Sequence, residues 1–131
     1  MTWALPPRYV IDGRYEIVKV LGQGSFGITY KARTADGGLV AIKEYFPQDA
    51  AIREGDGRVV LVDEQKREIF DWGYQKFEEE RRVLERISHP NVVRLVDHVE
   101  GNATRYLVFE FIDGQTLQHR IRTQARMWPD D

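Results

Sequence analysis

The stretch Gly22-Gln23-Gly24-Ser25-Phe26-Gly27 constrains this chain more than any other. Glycine lets a backbone approach a phosphate closely, because no Cβ stands in the way. The N–H groups of Ser25, Phe26 and Gly27 are the donors such a loop would offer. What flanks the loop decides what it can belong to. Before it, Tyr15-Glu16-Ile17-Val18-Lys19-Val20-Leu21 alternates apolar and polar residues with the period of a strand. After it, Ile28 to Thr34 is β-branched and aromatic, again a strand. A dinucleotide-binding turn opens instead into a helix, whose N-terminus holds the pyrophosphate. A Walker A loop is excluded, because Ile28 and Thr29 follow Gly27 where Lys and Ser or Thr would be needed. Taken alone, the motif also fits a glycine-rich hairpin with no ligand.

The rest of the chain continues in strands. Asp36-Gly37-Gly38 signals a hairpin turn, and Leu39-Val40-Ala41-Ile42 reads as a short buried third strand. A long insert follows, from Tyr45 to about Trp72. In it, Glu54-Gly55-Asp56-Gly57 separates Ala51-Ile52-Arg53 from Val59-Val60-Leu61-Val62, which predicts an extra hairpin. Gly73 to Ile87 reads as a helix, entered through a turn at Asp71-Trp72-Gly73 and broken by Ser88-His89-Pro90-Asn91. Further strands are expected within Val92 to Val99 and over Thr104 to Phe109, with a turn at Gly101-Asn102 between them. A loop at Asp113-Gly114 leads to a helical segment over Thr116 to Arg126. The expected fold class is α+β: a five-stranded, mostly antiparallel sheet with one main helix, and an extra hairpin inserted between the third strand and that helix. Residues 1–13 are expected to form an arm, 14–114 the folded unit and 115–131 a C-terminal helical segment.

Composition narrows the function. The 131 residues suit one domain with one core. A formal charge of −2, with the basic residues scattered, argues against nucleic acid or a membrane surface as partner. No run approaches the ~18 apolar residues of a membrane span, and no apolar signal-peptide region precedes Pro6-Pro7. The absence of cysteine removes disulfides, thiolate metal sites and a Cys nucleophile. His98 and His119 have no metal-ligand partners at useful spacing, and His89 reads as a turn-capping residue. The expectation is a cytoplasmic protein with no metal site of its own.

Lys43 ends the third strand, and a buried lysine needs an anion because an unpaired buried charge is costly. Helical geometry selects the candidate. With Phe77 as origin and about 100° per residue, Leu84 falls near about −20°, Glu80 about −60°, Ile87 about −80° and Val83 about −120°. Glu80 therefore lies in the middle of the apolar arc and is the predicted partner of Lys43. Glu78 and Glu85 are read as solvated surface charges, with Arg82 available to Glu78 at i+4.

With these residues in place, the chain resembles the small lobe of Ser/Thr protein kinases, most closely the bacterial type. The resemblance is carried by Leu21-Gly-Gln-Gly-Ser-Phe-Gly27-Ile-Thr-Tyr30, Val40-Ala-Ile-Lys-Glu-Tyr-Phe-Pro47, His89-Pro-Asn-Val-Val93 and Tyr106-Leu-Val-Phe-Glu-Phe-Ile-Asp-Gly114. It covers roughly residues 14 to 121. The resemblance implies that ATP binds beneath Gly22, Gly24, Ser25, Phe26 and Gly27, with Lys43 on its α- and β-phosphates and paired to Glu80. It implies Leu21, Thr29, Ala41 and Val93 around the adenine, with Phe109 closing the pocket behind it. The carbonyl of Glu110 and the N–H of Ile112 would meet the adenine edge, and Leu84 and Leu95 would belong to a regulatory apolar spine.

Phosphoryl transfer in that family also needs a His-Arg-Asp loop and the Asp-Phe-Gly that holds Mg²⁺. These 131 residues contain neither. Asp71-Trp72-Gly73 looks like the metal motif but precedes Glu80. ATP use is thus expected to be Mg-dependent, with metal ligands absent from this chain. The partners expected are ATP and a kinase large lobe, or another protein, covering an apolar floor that includes Leu84, Leu95, Phe109 and Leu117, with self-association or a folded-back Thr116–Trp128 segment as other ways to cover it. The alternative function is a non-catalytic, kinase-like interaction module, for which the insert hairpin would serve as a docking surface.

Overall fold

The computed structural model describes residues 3–87 and 93–111. Along the chain run β1 (Val10–Ile11), β2 (Tyr15–Gln23), β3 (Gly27–Thr34), β4 (Leu39–Tyr45), β5 (Ala51–Arg53), β6 (Val59–Leu61), α1 (Arg67–Arg86), β7 (Leu95–Gly101) and β8 (Thr104–Glu110). One sheet has six strands in the order β1-β2-β3-β4-β8-β7, and β5 and β6 pair as a separate hairpin. Every described pairing is antiparallel. The α+β fold, the single main helix and the inserted hairpin are as the sequence implied, with one strand more than expected. That strand, β1, lies in the segment read as an arm, and Leu5 and Ile11 of that segment are buried. The C-terminal segment from Ile112 onward lies outside the described residues.

Turn chemistry sets the registers. Gly37 takes a φ of +89° between β3 and β4, while the Asp36 carboxylate accepts the Gly38 N–H at 3.1 Å. Such a φ carries no steric cost for glycine. Between β7 and β8 the turn is made by Asn102 and Ala103, with φ of 52° and 59°. Two left-handed residues match the twist of a tight hairpin.

Strand alternation then divides the interior in two. On one face of the sheet Ile28, Tyr30, Ala32, Val40, Ile42, Tyr106 and Val108 pack with Leu5, Ile11, Phe46, Ala51 and Val59, which come from the N-terminal segment and the insert. On the other face Ala41, Tyr45, Leu107 and Phe109 pack with Phe77 and Leu84 of α1 and with Val93. Consecutive residues of β4 therefore serve different cores, and Lys43 and Glu44 point to opposite faces.

Glu44 is fully buried. Its carboxylate pairs with Arg53 at 2.6 Å, and the side chains are 0% and 9% exposed. It also accepts the hydroxyls of Tyr30 at 2.7 Å and Tyr106 at 2.6 Å. Arg53 donates onward to the carbonyls of Trp3 and Gly57, at 2.6 and 2.8 Å. The Leu5 N–H donates to Tyr30 Oη at 3.0 Å. This network ties the N-terminal segment and the insert hairpin to the middle of the sheet. At the rim, the sheet curls until its ends meet: the Tyr15 hydroxyl of β2 donates to Asp97 of β7 at 2.6 Å, and Arg14 lies 2.9 Å from the same carboxylate.

Breaking the buried pair on one side strands a charge. Glu44→Ala or Arg53→Met should each cost about 3–5 kcal/mol in urea unfolding. Glu44→Leu with Arg53→Met should cost less than the sum of the two single changes, because neither charge is left alone.

The phenols predict an alkaline limit. Burial, then the hydrogen bond and charge of Asp97, push Tyr15 up to about 12. Burial, then the Glu44 carboxylate, push Tyr30 and Tyr106 above the ordinary tyrosine range. Each folded-state value is raised, so the stability linked to it is full below the unfolded value of about 10 and lost as pH rises beyond it. The urea midpoint should fall as pH is raised from about 10 towards about 12, with tyrosinate absorbance appearing on unfolding.

Candidate functional site

Lys43 lies in the centre of the sheet, paired across to Thr29 of β3 and Leu107 of β8. It shares a face with Ala41 and Tyr45, and hence with α1. The glycine loop is seated directly on it. A Cβ at Gly27 would stand 2.9 Å from Lys43 Cε and 3.1 Å from the Glu44 carbonyl, so only glycine fits there without displacement. The loop connects β2 to β3 as the flanking patterns predicted.

The segment after β4 holds the loop from behind. The Phe46 N–H donates to the Phe26 carbonyl at 3.0 Å and the Gln48 N–H to the Ser25 carbonyl at 2.9 Å. The Gln48 side-chain amide donates to the Gly24 carbonyl at 2.6 Å. The Gly24 N–H closes the set on the Gly27 carbonyl at 2.8 Å.

Helix α1 begins at Arg67, six residues earlier than the sequence suggested, after a 3₁₀ turn whose N-cap Asp63 accepts the Gln65 N–H. Asp71-Trp72-Gly73 is thus inside the helix and not its entry turn. Gly73 is a contact residue. A Cβ there would overlap the Tyr45 hydroxyl and lie 3.0 Å from the Phe26 ring. In that notch the Tyr45 hydroxyl donates to the Phe70 carbonyl at 2.6 Å, and the Tyr45 ring packs on Phe70, Tyr74 and Phe77. Phe26, at the loop tip, meets the Trp72 ring edge-on at 6.1 Å.

Glu80 is half-buried on the helix face between Phe77 and Leu84, both buried. Val83, at the edge of the expected apolar arc, is 48% exposed. Glu78 is not a solvated charge. It is 16% exposed and takes Arg105 at 2.8 Å and Arg81 at 3.3 Å, while Arg82 reaches only its backbone carbonyl. Glu85 pairs with Arg81 at 2.8 Å and with His98 at 3.2 Å. Burial alone would lower the Arg105 guanidinium, but the Tyr74 hydroxyl and the nearby carboxylates Glu78 and Glu100 outweigh it and raise it.

Residues expected around the adenine converge. Ala41, Val93 and Phe109 are buried in one cluster with Leu21 and Leu95 against it, and Phe109 pairs with Ala41 across the strands. Leu84 and Phe109, expected on an open floor, are buried at 5% and 6%. Glu110 is half-buried at the end of β8. Ile112, Leu117 and His89 lie outside the described residues. Among the described residues, no His, Asp and Glu side chains cluster as metal ligands.

The family model for the protein kinase domain matches residues 15–131. The chain belongs to the protein kinase domain family. The solved apo form of PpkA-294 has a TM-score of 0.79 and 34% identity, over 84% of this chain and 39% of that one. CBL-interacting protein kinase 19 of Oryza sativa subsp. japonica is 34% identical, over 83% of this chain and 18% of its own length. CBL-interacting serine/threonine-protein kinase 9 of Arabidopsis thaliana is 31% identical, over 98% of this chain and 25% of its own length. This kinase chain thus spans a quarter or less of these curated relatives and corresponds to the N-terminal part of a kinase domain.

Sequence reasoning passed over Glu44 and Gln48, and gave Gly73 only a place in a helix-entry turn. The available signal for Glu44 was its alternation with Val40 and Ile42, which places a carboxylate in a core row. Gly73 generates a clear prediction. Alanine is the better helix former by about 1 kcal/mol, yet Gly73→Ala should destabilise the kinase fold by about 1–3 kcal/mol, because its Cβ must displace Tyr45 or Phe26. Thermal unfolding of the variant measures which effect wins.

Proposed function

We propose that this chain is the ATP-binding small lobe of a Ser/Thr protein kinase, and that its 131 residues transfer no phosphate by themselves. The observation that carries the reading is Gly27 seated on Lys43, with the loop's glycines between strands and not before a helix. In this reading the N–H groups of Ser25, Phe26 and Gly27 meet the phosphates from above, and Lys43 supplies the positive charge below them. Glu80, on the helix face turned to the same side of the sheet, pairs with Lys43 and holds its ammonium in place. Leu21, Thr29, Ala41 and Val93 enclose the adenine, and Phe109 closes the rear of the pocket. The Glu110 carbonyl and the Ile112 N–H bond the adenine edge. Mg²⁺, when bound with ATP, neutralises phosphate charge. Its protein ligands, and the base that accepts the substrate hydroxyl proton, come from a large lobe that docks beneath this one.

ATP titrated into the protein should shift the amide signals of Gly24, Ser25 and Lys43. Lys43→Met should weaken binding by about 10- to 100-fold, the worth of hydrogen bonds to charged groups. Unmoved signals at all three residues would overturn nucleotide binding. Phosphorylation of any protein substrate by the purified 131-residue chain would overturn the second half of the reading.

A further inference from the structure

Four consecutive carbonyls, Gly24 to Gly27, are each taken by an internal donor. Two of the four donors belong to one residue, Gln48, through its backbone N–H and its side-chain amide. A trans peptide is planar, with its N–H opposed to its C=O. Fixing the Gly24 carbonyl therefore aims the Ser25 N–H away from Gln48. Fixing the Ser25 carbonyl does the same for the Phe26 N–H, and the Phe46 bond to the Phe26 carbonyl does it for the Gly27 N–H. The three N–H groups so aimed are those that a polyphosphate needs. The carbonyls of Gly24, Ser25 and Phe26, whose negative ends would repel it, are held on the other side.

We propose that Gln48 is a positioning residue for the glycine loop, holding its peptide planes in the orientation that receives the phosphates of a nucleotide. The proposal rests on the nucleotide-binding reading above. Gln48 is exposed and belongs to neither apolar core cluster. A rigid, correctly turned loop binds phosphate without first ordering its backbone, which is the usual source of affinity in a preorganised site. Phe26 anchors the tip on Trp72 and Gly73, so the Gln48 amide restrains the stretch of loop between that anchor and β2.

The test compares the protein with Gln48→Ala and with Gln48→Glu, which keeps the length and the backbone N–H but removes the side-chain donor. Hydrogen exchange without nucleotide should quicken about 3- to 10-fold in both variants at the Gly24 amide, whose bond to the Gly27 carbonyl closes the loop, the worth of one lost hydrogen bond. The unfolding midpoint should fall by no more than one exposed hydrogen bond is worth. ATP affinity should fall by a similar about 3- to 10-fold in Gln48→Ala, while adenosine, which has no phosphates, should bind as before. Unchanged loop exchange in both variants would overturn the clamp. Equal weakening of ATP and adenosine would overturn its role toward phosphate. If the unsubstituted protein binds neither, the nucleotide reading itself fails, and the role toward phosphate fails with it, whatever the exchange data say about the clamp.

Discussion

The carboxylate of Glu44 organises this structure. It is fully buried, and a buried charge is tolerable only when paired and hydrogen-bonded. Arg53, Tyr30 and Tyr106 supply the partners, from the insert hairpin and from two strands of the main sheet. Meeting that demand fixes where the hairpin lies and, through the Trp3 carbonyl, where the chain's beginning lies. It also fixes β4 from one side. Lys43, the next residue back, faces the other side, so a residue essential to the nucleotide reading is carried on a strand held by an unrelated polar network. Replacing that network with apolar side chains need not cost stability. What it contributes is a single position for three segments that would otherwise be joined only by non-directional packing.

Much of the fold could be read from the sequence because its signals are local. The alternation in β2, the turn residues at Asp36-Gly37 and the glycine-rich turn of the insert each announce a hairpin within a few residues. The apolar arc through Phe77, Leu84 and Ile87 correctly oriented the helix, and it placed Glu80 between two buried side chains. What was missed depends on distant partners. Leu5 is buried because Tyr30 and the insert cover it, and the prolines beside it suggested only an irregular arm. The first turns of α1 were missed because Asp71-Trp72-Gly73 reads as a helix-entry turn. Gly73 is a glycine because of Tyr45, 28 positions earlier in the chain.

The charges on α1 make the same point. Glu78 has an arginine four residues on, and sequence spacing alone assigns it to the surface. In the fold it is claimed instead by Arg105 of β8 and by Arg81, while Arg81 also reaches Glu85 and His98 joins from β7. This strip fastens the flank of the helix to β8 and to the edge strand β7. Among half-buried groups such a network constrains geometry more than a solvated pair does, because each side chain is held by more than one partner.

The notch at Gly73 has a mechanical meaning. It works as a keyway: the Phe26 ring and the Tyr45 hydroxyl enter the one point on the helix surface that has no side chain. If α1 slid or rolled by a single residue, Trp72 or Tyr74 would arrive where only a hydrogen atom fits. The helix and the loop tip must therefore travel together or separate completely. Any ligand that pulls the loop down, or any surface that draws the helix out, acts on both at once.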